Sequence, residues 1–196
     1  DQALEANTTA SENDAFGHLA LTANTTGTGN VAMGVFALGS NTTANYNTAI
    51  GNNAMDTNTT GYDNCALGFR SLEKNTTGAR NTAIGYYALQ ANTTGPYNVA
   101  VGQGALGACT TGDSNTALGT QSLAAVTTVG SQVAVGMGAL RNCTTGYANC
   151  GVGIYALDAV TTGYQNAALG NHAGRYITTG DYNTCLGRYA GGGITT

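Results

Sequence analysis

The sequence repeats itself every 17 residues without an insertion or a deletion. A glycine preceded by an aliphatic residue, Met or Phe stands at eleven successive multiples of 17, from Gly17 to Gly187. Numbered from the first Asn of NTTG, the unit reads N-T-T-G-x-x-N-T-A-I-G-x-x-A-L-x-x. Because units of identical length can all make the same contacts with their neighbours, the chain is predicted to be a solenoid. The glycines at position 11 are expected to form its turns: Gly34, Gly51, Gly68, Gly85, Gly102 and Gly119.

Seventeen residues are too few for a strand, a helix and two connections, since leucine-rich units need about 20 and two-helix units about 33. The sequence therefore predicts an all-β, parallel β-solenoid (β-helix or β-roll). Residues 1–196 would form a single repeat domain, with full coils over 7–193 and partial coils at 1–6 and 194–196. Strand-like segments are expected at positions 1 to 3 and 7 to 10, while positions 13 to 15 are either extended or a turn. At roughly 4.8 Å per coil, eleven coils span about 53 Å.

Position 1 changes from Asn in the first six coils to Cys, Val or Ile in the rest, which indicates a buried column. We interpret the Asn members as a ladder of hydrogen-bonded amides. The N-T-T segments also match the N-glycosylation acceptor pattern, but Val and Ile are not natural replacements for a sugar-bearing Asn, so the column favours the ladder. Position 7 is Asn in ten of eleven coils, with Gln132 the exception. The predicted ladder residues are Asn24, Asn41, Asn58, Asn75 and Asn92 at position 1, and Asn30, Asn47, Asn64, Asn81 and Asn98 at position 7.

Side chains alternate in a strand, so a buried position 1 predicts that Thr at position 2 points outward and Thr at position 3 points inward. The outward rank would include Thr25, Thr42, Thr59 and Thr76. Positions 8 to 10 read T-A-I, V-A-V or C-A-L, which is apolar on both faces of a strand. We therefore expect one face to line the lumen and the other to meet a second subunit.

All eleven Tyr fall at the variable positions 5, 6, 12, 13, 16 and 17, which are expected to be the bends of the coil. Bends are free of the ladders, so a recognition surface would lie there. Two interpretations stay open: Tyr covers the bends and stacks between coils, or it forms a platform for sugar. The candidate residues are Tyr46, Tyr62, Tyr86, Tyr87, Tyr147, Tyr155 and Tyr164.

Composition argues against several functions. A net charge of −4 with six Lys and Arg gives no basic patch for nucleic acid, and no apolar run is long enough for membrane insertion. Five Cys without a C-x-x-C pair predict no zinc site, and their repeat positions suggest buried small residues. The only two His, His18 and His172, lie in distant coils. We predict no enzyme activity, no catalytic residue and no cofactor.

The segments N-T-A-I-G-x-x-A-L and N-T-T-G resemble the repeats of bacteriophage tail-fibre and bacterial surface-fibre proteins. More loosely, they are similar to the head repeats of trimeric autotransporter adhesins. The resemblance covers residues 7–190. It implies an extracellular fibre on a cell or virion surface, made of copies of this chain, with surface glycans or a host-cell receptor as further partners. It names no particular receptor.

Three functional hypotheses follow. The first is a structural and adhesive filament. The chain starts and stops within a repeat, so it is expected either to be a piece of a longer fibre or to stack end to end. The second is an ice-binding or glycan-binding solenoid that uses the outward Thr rank. The third is a filament whose N-T-T segments or Thr hydroxyls carry sugar, which intact mass would reveal against 19.6 kDa for the bare chain.

Overall fold

The structure, a computed structural model, describes residues 2–196. Each coil contributes one strand of three residues at repeat positions 8 to 10, and the described residues contain no helix. The strands are β1 (Asp14–Phe16), β2 (Val31–Met33), β3 (Thr48–Ile50), β4 (Cys65–Leu67), β5 (Thr82–Ile84), β6 (Val99–Val101), β7 (Thr116–Leu118), β8 (Val133–Val135), β9 (Cys150–Val152), β10 (Ala167–Leu169) and β11 (Thr184–Leu186).

The eleven strands form one parallel sheet in which spatial order follows chain order. Each residue pairs with the residue 17 positions later, as Thr48 pairs with Cys65 and Cys65 with Thr82. This register follows directly from the repeat, because each coil presents the same backbone groups to the next. The predicted all-β parallel solenoid is confirmed.

The core is a set of columns that run the length of the molecule. Position 9 supplies small residues from the strands, and positions 14 and 15 supply Ala and Leu from the opposite side of the coil. In the fifth coil, Ala83, Ala88 and Leu89 are fully buried. Small side chains dominate because the two sides of the coil lie close together. The core is therefore thin, and the column of Leu at position 15 is its bulkiest part.

The corner after each strand requires glycine for two reasons. Gly85 has φ of +134°, a conformation that residues with a side chain rarely adopt. A Cβ at Gly85 would also lie 2.8 Å from the carbonyl carbon of Gly102 in the next coil. The turn role predicted for the position 11 glycines is confirmed, and stacking of backbone on backbone adds a second constraint.

Positions 11 to 16 form consecutive turns, which decides the segment that the sequence left open. The Ala88 amide donates to the Gly85 carbonyl at 3.2 Å, and the third residue of that turn, Tyr87, has φ of +56°. Leu89 also has a positive φ, +51°. Left-handed backbone at the third position is the mark of a type II turn. Repeating this pair of turns brings position 15, which is Leu in eight of the eleven coils, back into the core.

Positions 1 to 3 are not a regular strand, so that prediction was wrong. The Thr93 carbonyl accepts the amides of both Thr76 and Thr77, at 2.9 and 3.2 Å. The Thr76 hydroxyl also donates to it, at 2.9 Å. A single carbonyl thus takes most of the hydrogen bonds between coils here. This converging pattern replaces the even spacing of a parallel ladder.

Candidate functional site

The ladder at position 7 runs through all eleven coils. The backbone amide of Asn81 donates to Asn64 Oδ1 at 2.9 Å, and Asn64 Nδ2 donates to the Gly78 carbonyl at 2.9 Å. Gln132 keeps the pattern: its backbone amide donates to Asn115 Oδ1, and its Oε1 accepts the Asn149 amide at 3.0 Å. Buried amides must be paired to be tolerated, and this column pairs them with backbone as well as with each other. The predicted ladder is confirmed.

The ladder at position 1 covers only the first six coils. Asn75 Nδ2 donates to Asn58 Oδ1 at 2.7 Å and to the Gly78 carbonyl at 2.9 Å. Asn92 Nδ2 donates to Asn75 Oδ1 at 2.8 Å in the same way. Beyond it stands Cys109, and Asn92 Oδ1 is buried without a hydrogen-bond partner. These Asn are fully buried from Asn24 to Asn92, which makes them a structural ladder and unsuited to carry sugar as folded.

The outward threonines are at position 3 as well as at position 2, so the prediction that position 3 points inward was wrong. All twelve position 3 threonines are exposed, whereas Thr42, Thr59 and Thr76 at position 2 are half-buried and Thr25 is exposed. The hydroxyls of these four donate to the position 2 carbonyl of the next coil. Alternation failed because positions 1 to 3 are not extended strand. We call the position 3 threonines the threonine rank: Thr9, Thr26, Thr43, Thr60, Thr77, Thr94, Thr111, Thr128, Thr145, Thr162, Thr179 and Thr196.

The threonine rank differs from position 2 in its hydrogen bonding. Among residues 2–196, no position 3 hydroxyl makes a hydrogen bond within the chain, so these hydroxyls face solvent in register. Coil stacking repeats them roughly every 4.8 Å. The rank is therefore a regular polar surface available to water, ice or sugar.

The outer face of the sheet is mostly apolar, with Thr at position 8 in four of its eleven strands. Position 9 points into the core, while positions 8 and 10 point outward, and we call these two outward columns the strand face. Position 10 is apolar in every strand, and Leu67, Leu169 and Leu186 are 46%, 52% and 74% exposed. From β2 to β11 the strand face carries no charged residue. Eleven strands of three residues make a surface about 48 Å by 10 Å, comparable with the largest apolar patches on monomeric proteins.

Ten of the eleven tyrosines lie along two edges, at positions 5 and 6 and at positions 12 and 13, and Tyr176 lies at position 17. Tyr46, Tyr62, Tyr86 and Tyr147 are exposed, while Tyr87, Tyr155 and Tyr164 are half-buried. Rings stack between coils: Tyr147 and Tyr164 are parallel with centroids 5.0 Å apart. The structure thus shows rings that stack between coils, and four of these candidate tyrosines keep exposed surface.

Every arginine lies over an aromatic ring. Arg80 is 5.3 Å from the Tyr62 centroid and 5.5 Å from that of Tyr97, and its guanidinium is 3.6 Å from Asp63 Oδ2. The remaining four follow the same pattern within 6 Å, the usual range of a cation–π contact. The sequence did not predict this pairing, although Arg and Tyr one repeat apart at nearby positions are its signal.

Two of the five cysteines lie on the strand face and three are buried. Cys150 is exposed and Cys65 half-exposed at position 8, whereas Cys109, Cys143 and Cys185 are buried. The prediction of small buried residues is thus right for three of them. Burial raises the pKa of Cys109 and of Cys143 to about 11, so their thiols stay protonated at neutral pH. A thiol that stays protonated is a poor nucleophile.

Catalytic and metal-binding groups are sparse in residues 2–196. His18 and His172 stand nine coils apart, about 43 Å along the axis, and are not brought together. No group of three His, Cys, Asp or Glu side chains in this range could hold a metal ion. The same residues include no helix that could cross a membrane.

No protein-family model, curated protein or solved structure matches this chain. The resemblance to fibre repeats therefore stays a prediction from the sequence. Three surfaces distinguish this molecule: the strand face, the threonine rank, and the two aromatic edges at positions 5 and 6 and at positions 12 and 13.

Proposed function

We propose that this protein is a structural subunit of an extracellular fibre, and that copies of the chain associate through the strand face. The observation that carries the proposal is the uncharged, mostly apolar outer surface of β2 to β11. Contiguous exposed apolar patches of this size are often functional. The repeated ladders make a stiff rod, which suits a shaft that displays its edges to ligands.

Charge on the strand face tests the proposal. In the variant Leu67→Glu/Leu118→Glu, two exposed strand-face residues become carboxylates. The matched control, Thr77→Glu/Thr128→Glu, places the same charges on the threonine rank, which is also exposed. We expect the parent chain and the control to sediment as multimers and to form uniform rods in electron micrographs. The strand-face variant should sediment as a folded monomer.

The two strand-face cysteines provide an independent readout. Maleimide should label Cys65 and Cys150 in the monomeric variant and spare them in the assembled parent chain. The buried Cys109, Cys143 and Cys185 should not react with maleimide in either protein until the chain unfolds. A parent chain that sediments as a monomer and labels fully at both strand-face cysteines would contradict the proposal.

The threonine rank supports a second candidate, an ice-binding surface. Its hydroxyls are free of intramolecular hydrogen bonds, in register, and beside the position 2 threonines. Thermal hysteresis of a soluble sample tests this directly. Thermal hysteresis that disappears in Thr77→Glu/Thr128→Glu but persists in Leu67→Glu/Leu118→Glu would favour ice binding. The absence of hysteresis in both the parent chain and Leu67→Glu/Leu118→Glu would reject it.

A further inference from the structure

Charge is distributed unequally along the rod. Residues 1–125 hold eight of the ten carboxylates and three of the six cations. Residues 126–196 hold three arginines, Arg141, Arg175 and Arg188, against Asp158 and Asp181. An acidic protein thus has one end that is slightly cationic, and the three arginines lie at nearby repeat positions, 12 and 16.

Contacts connect these arginines into one continuous edge. The guanidinium groups of Arg141 and Arg175 both lie 5.5 Å from the Tyr155 centroid. Arg141 belongs to the coil before Tyr155, and Arg175 belongs to the coil after it. The His172 ring lies 5.5 Å from Tyr155 and stacks on Tyr189 at 5.0 Å. Arg188 lies 4.9 Å from the Tyr189 centroid. We call this set the cationic edge: Arg141, Tyr155, His172, Arg175, Arg188 and Tyr189.

The cationic edge differs from the arginines of the first coils in how its charge is balanced. Arg70 pairs with Glu73 at 3.4 Å, and Arg80 with Asp63 at 3.6 Å. Arg141 pairs with the buried Asp158 at 3.2 Å. Within residues 2–196, no carboxylate lies within ion-pair distance of Arg175 or Arg188. Their positive charge is available to a ligand.

From this arrangement we propose that the cationic edge binds an acidic polysaccharide. Guanidinium groups bind carboxylates in a two-point geometry, and the apolar face of a sugar ring packs on an aromatic ring. A linear polymer laid along the rod would meet rings in three successive coils and cations on both sides of them. The proposal goes beyond fibre assembly, because none of these residues belongs to the strand face.

A matched pair of ligands tests the recognised group. Oligomers of polygalacturonic acid carry a carboxylate on each sugar, and their methyl esters keep the same backbone without the charge. We expect the acid form to bind at least tenfold more tightly than the ester by isothermal titration calorimetry. Binding of the acid form should weaken as salt is raised.

Matched variants test the site. Arg175→Gln/Arg188→Gln removes the unpaired cations and should weaken binding of the acid form at least tenfold. Arg70→Gln/Arg80→Gln removes the same charge from arginines that already face carboxylates, and should change binding less than twofold. Tyr189→Leu should weaken binding several-fold while keeping the preference for the acid form. Circular dichroism and sedimentation verify that each variant is folded.

Several outcomes would overturn the proposal. They are no binding by the parent chain, equal binding of acid and ester, equal losses in the two arginine variants, or tighter binding of a single-stranded oligonucleotide than of the acid oligomer. The titrations are repeated in the Leu67→Glu/Leu118→Glu background. Assembly and binding are then measured in the same protein. A strand-face variant that still assembles contradicts the fibre proposal, and a chain that does not bind the acid oligomer contradicts the polysaccharide proposal.

Discussion

Residues 7–108 and residues 109–193 share the same strands, corners and position 7 ladder, but they differ at position 1. The first region has Asn in this column and the second has Cys, Val or Ile. All are buried from Asn24 onward. The two regions therefore compare a polar and an apolar column in one otherwise constant coil.

The position 4 carbonyl explains why both columns work. In the first region the Gly78 carbonyl accepts from Asn75 and from Asn64, both at 2.9 Å. In the second region the Gly163 carbonyl, whose coil has Val160 at position 1, accepts from Asn149 at 2.8 Å. One side-chain donor is enough to satisfy a buried carbonyl. The amides at position 1 are therefore redundant for the backbone, whereas those at position 7 are not.

The largest loss of stability is expected at the corner column that the two regions share. Gly85→Ala and Gly153→Ala each place a Cβ 2.8 Å or less from the next coil and keep a strained φ of +134°. We expect each to lower the free energy of unfolding by about 5 kcal/mol, because backbone strain and overpacking both contribute. Denaturant unfolding measures it. Gly187→Ala, where no atom lies within 4 Å of the added Cβ, is the control and should lose less.

A difference between the regions should appear at position 7. Asn149→Ala leaves two buried groups unpaired, the Asn166 amide and the Gly163 carbonyl. Asn64→Ala leaves only the Asn81 amide unpaired, because Asn75 still donates to Gly78. With roughly 1–3 kcal/mol per unpaired group, we expect losses of about 4 and about 2 kcal/mol. Equal losses would show that the second donor at Gly78 contributes nothing.

Position within the position 1 ladder should matter more than the residue itself. Asn75→Val leaves Asn58 Oδ1 without its donor, in addition to the unpaired Asn92 Oδ1. Asn92→Val removes the unpaired oxygen and creates one at Asn75 instead. We expect a loss of about 2 kcal/mol for Asn75→Val and less than about 1 for Asn92→Val. The reverse order in thermal or denaturant unfolding would contradict the ladder interpretation.

The smallest effect at neutral pH is expected within the apolar column. Cys109→Val/Cys143→Val copies Val126 and Val160 and should change the free energy of unfolding by less than about 1.5 kcal/mol at pH 7. In the folded chain, burial raises each thiol pKa from 9.0 to about 11. Between these values the unfolded chain loses protons that the folded chain retains, so the parent loses stability as pH rises. From pH 9 to 11 the free energy of unfolding should fall less in the variant than in the parent chain. Parallel curves of unfolding free energy against pH would contradict this.

Features that depend on the equal spacing of the repeats could be predicted from the sequence. The directions of side chains that depend on local backbone conformation could not. The period predicted parallel stacking, the corner at Gly85 and both Asn columns, because each follows from one coil repeating the next. The direction of Thr77 was wrong because alternation holds only in extended strand. The left-handed Leu89 was not predictable, since Leu disfavours that conformation and only its burial in the core offsets the cost.

Some features of the surface could be predicted from the sequence and others could not. The apolar outer columns follow from the triplets T-A-I and V-A-V, but their exposure to solvent required the structure. The cationic edge was missed because Arg175 and Tyr155 are 20 residues apart and meet only when consecutive coils stack. Stacking of consecutive coils brings together residues that are one repeat apart, plus or minus three, as in Arg141 with Tyr155 and Tyr155 with Arg175.

The exact registration of each coil on the next has a consequence for how this gene can change. An in-frame tandem duplication or loss of one repeat unit adds or removes one whole coil and leaves every remaining contact of the same kind. Rod length can thus vary in steps of about 4.8 Å through recombination between repeats. An insertion of any other length between positions 1 and 7 would shift one amide column against the other, whereas an insertion at a bend could loop out.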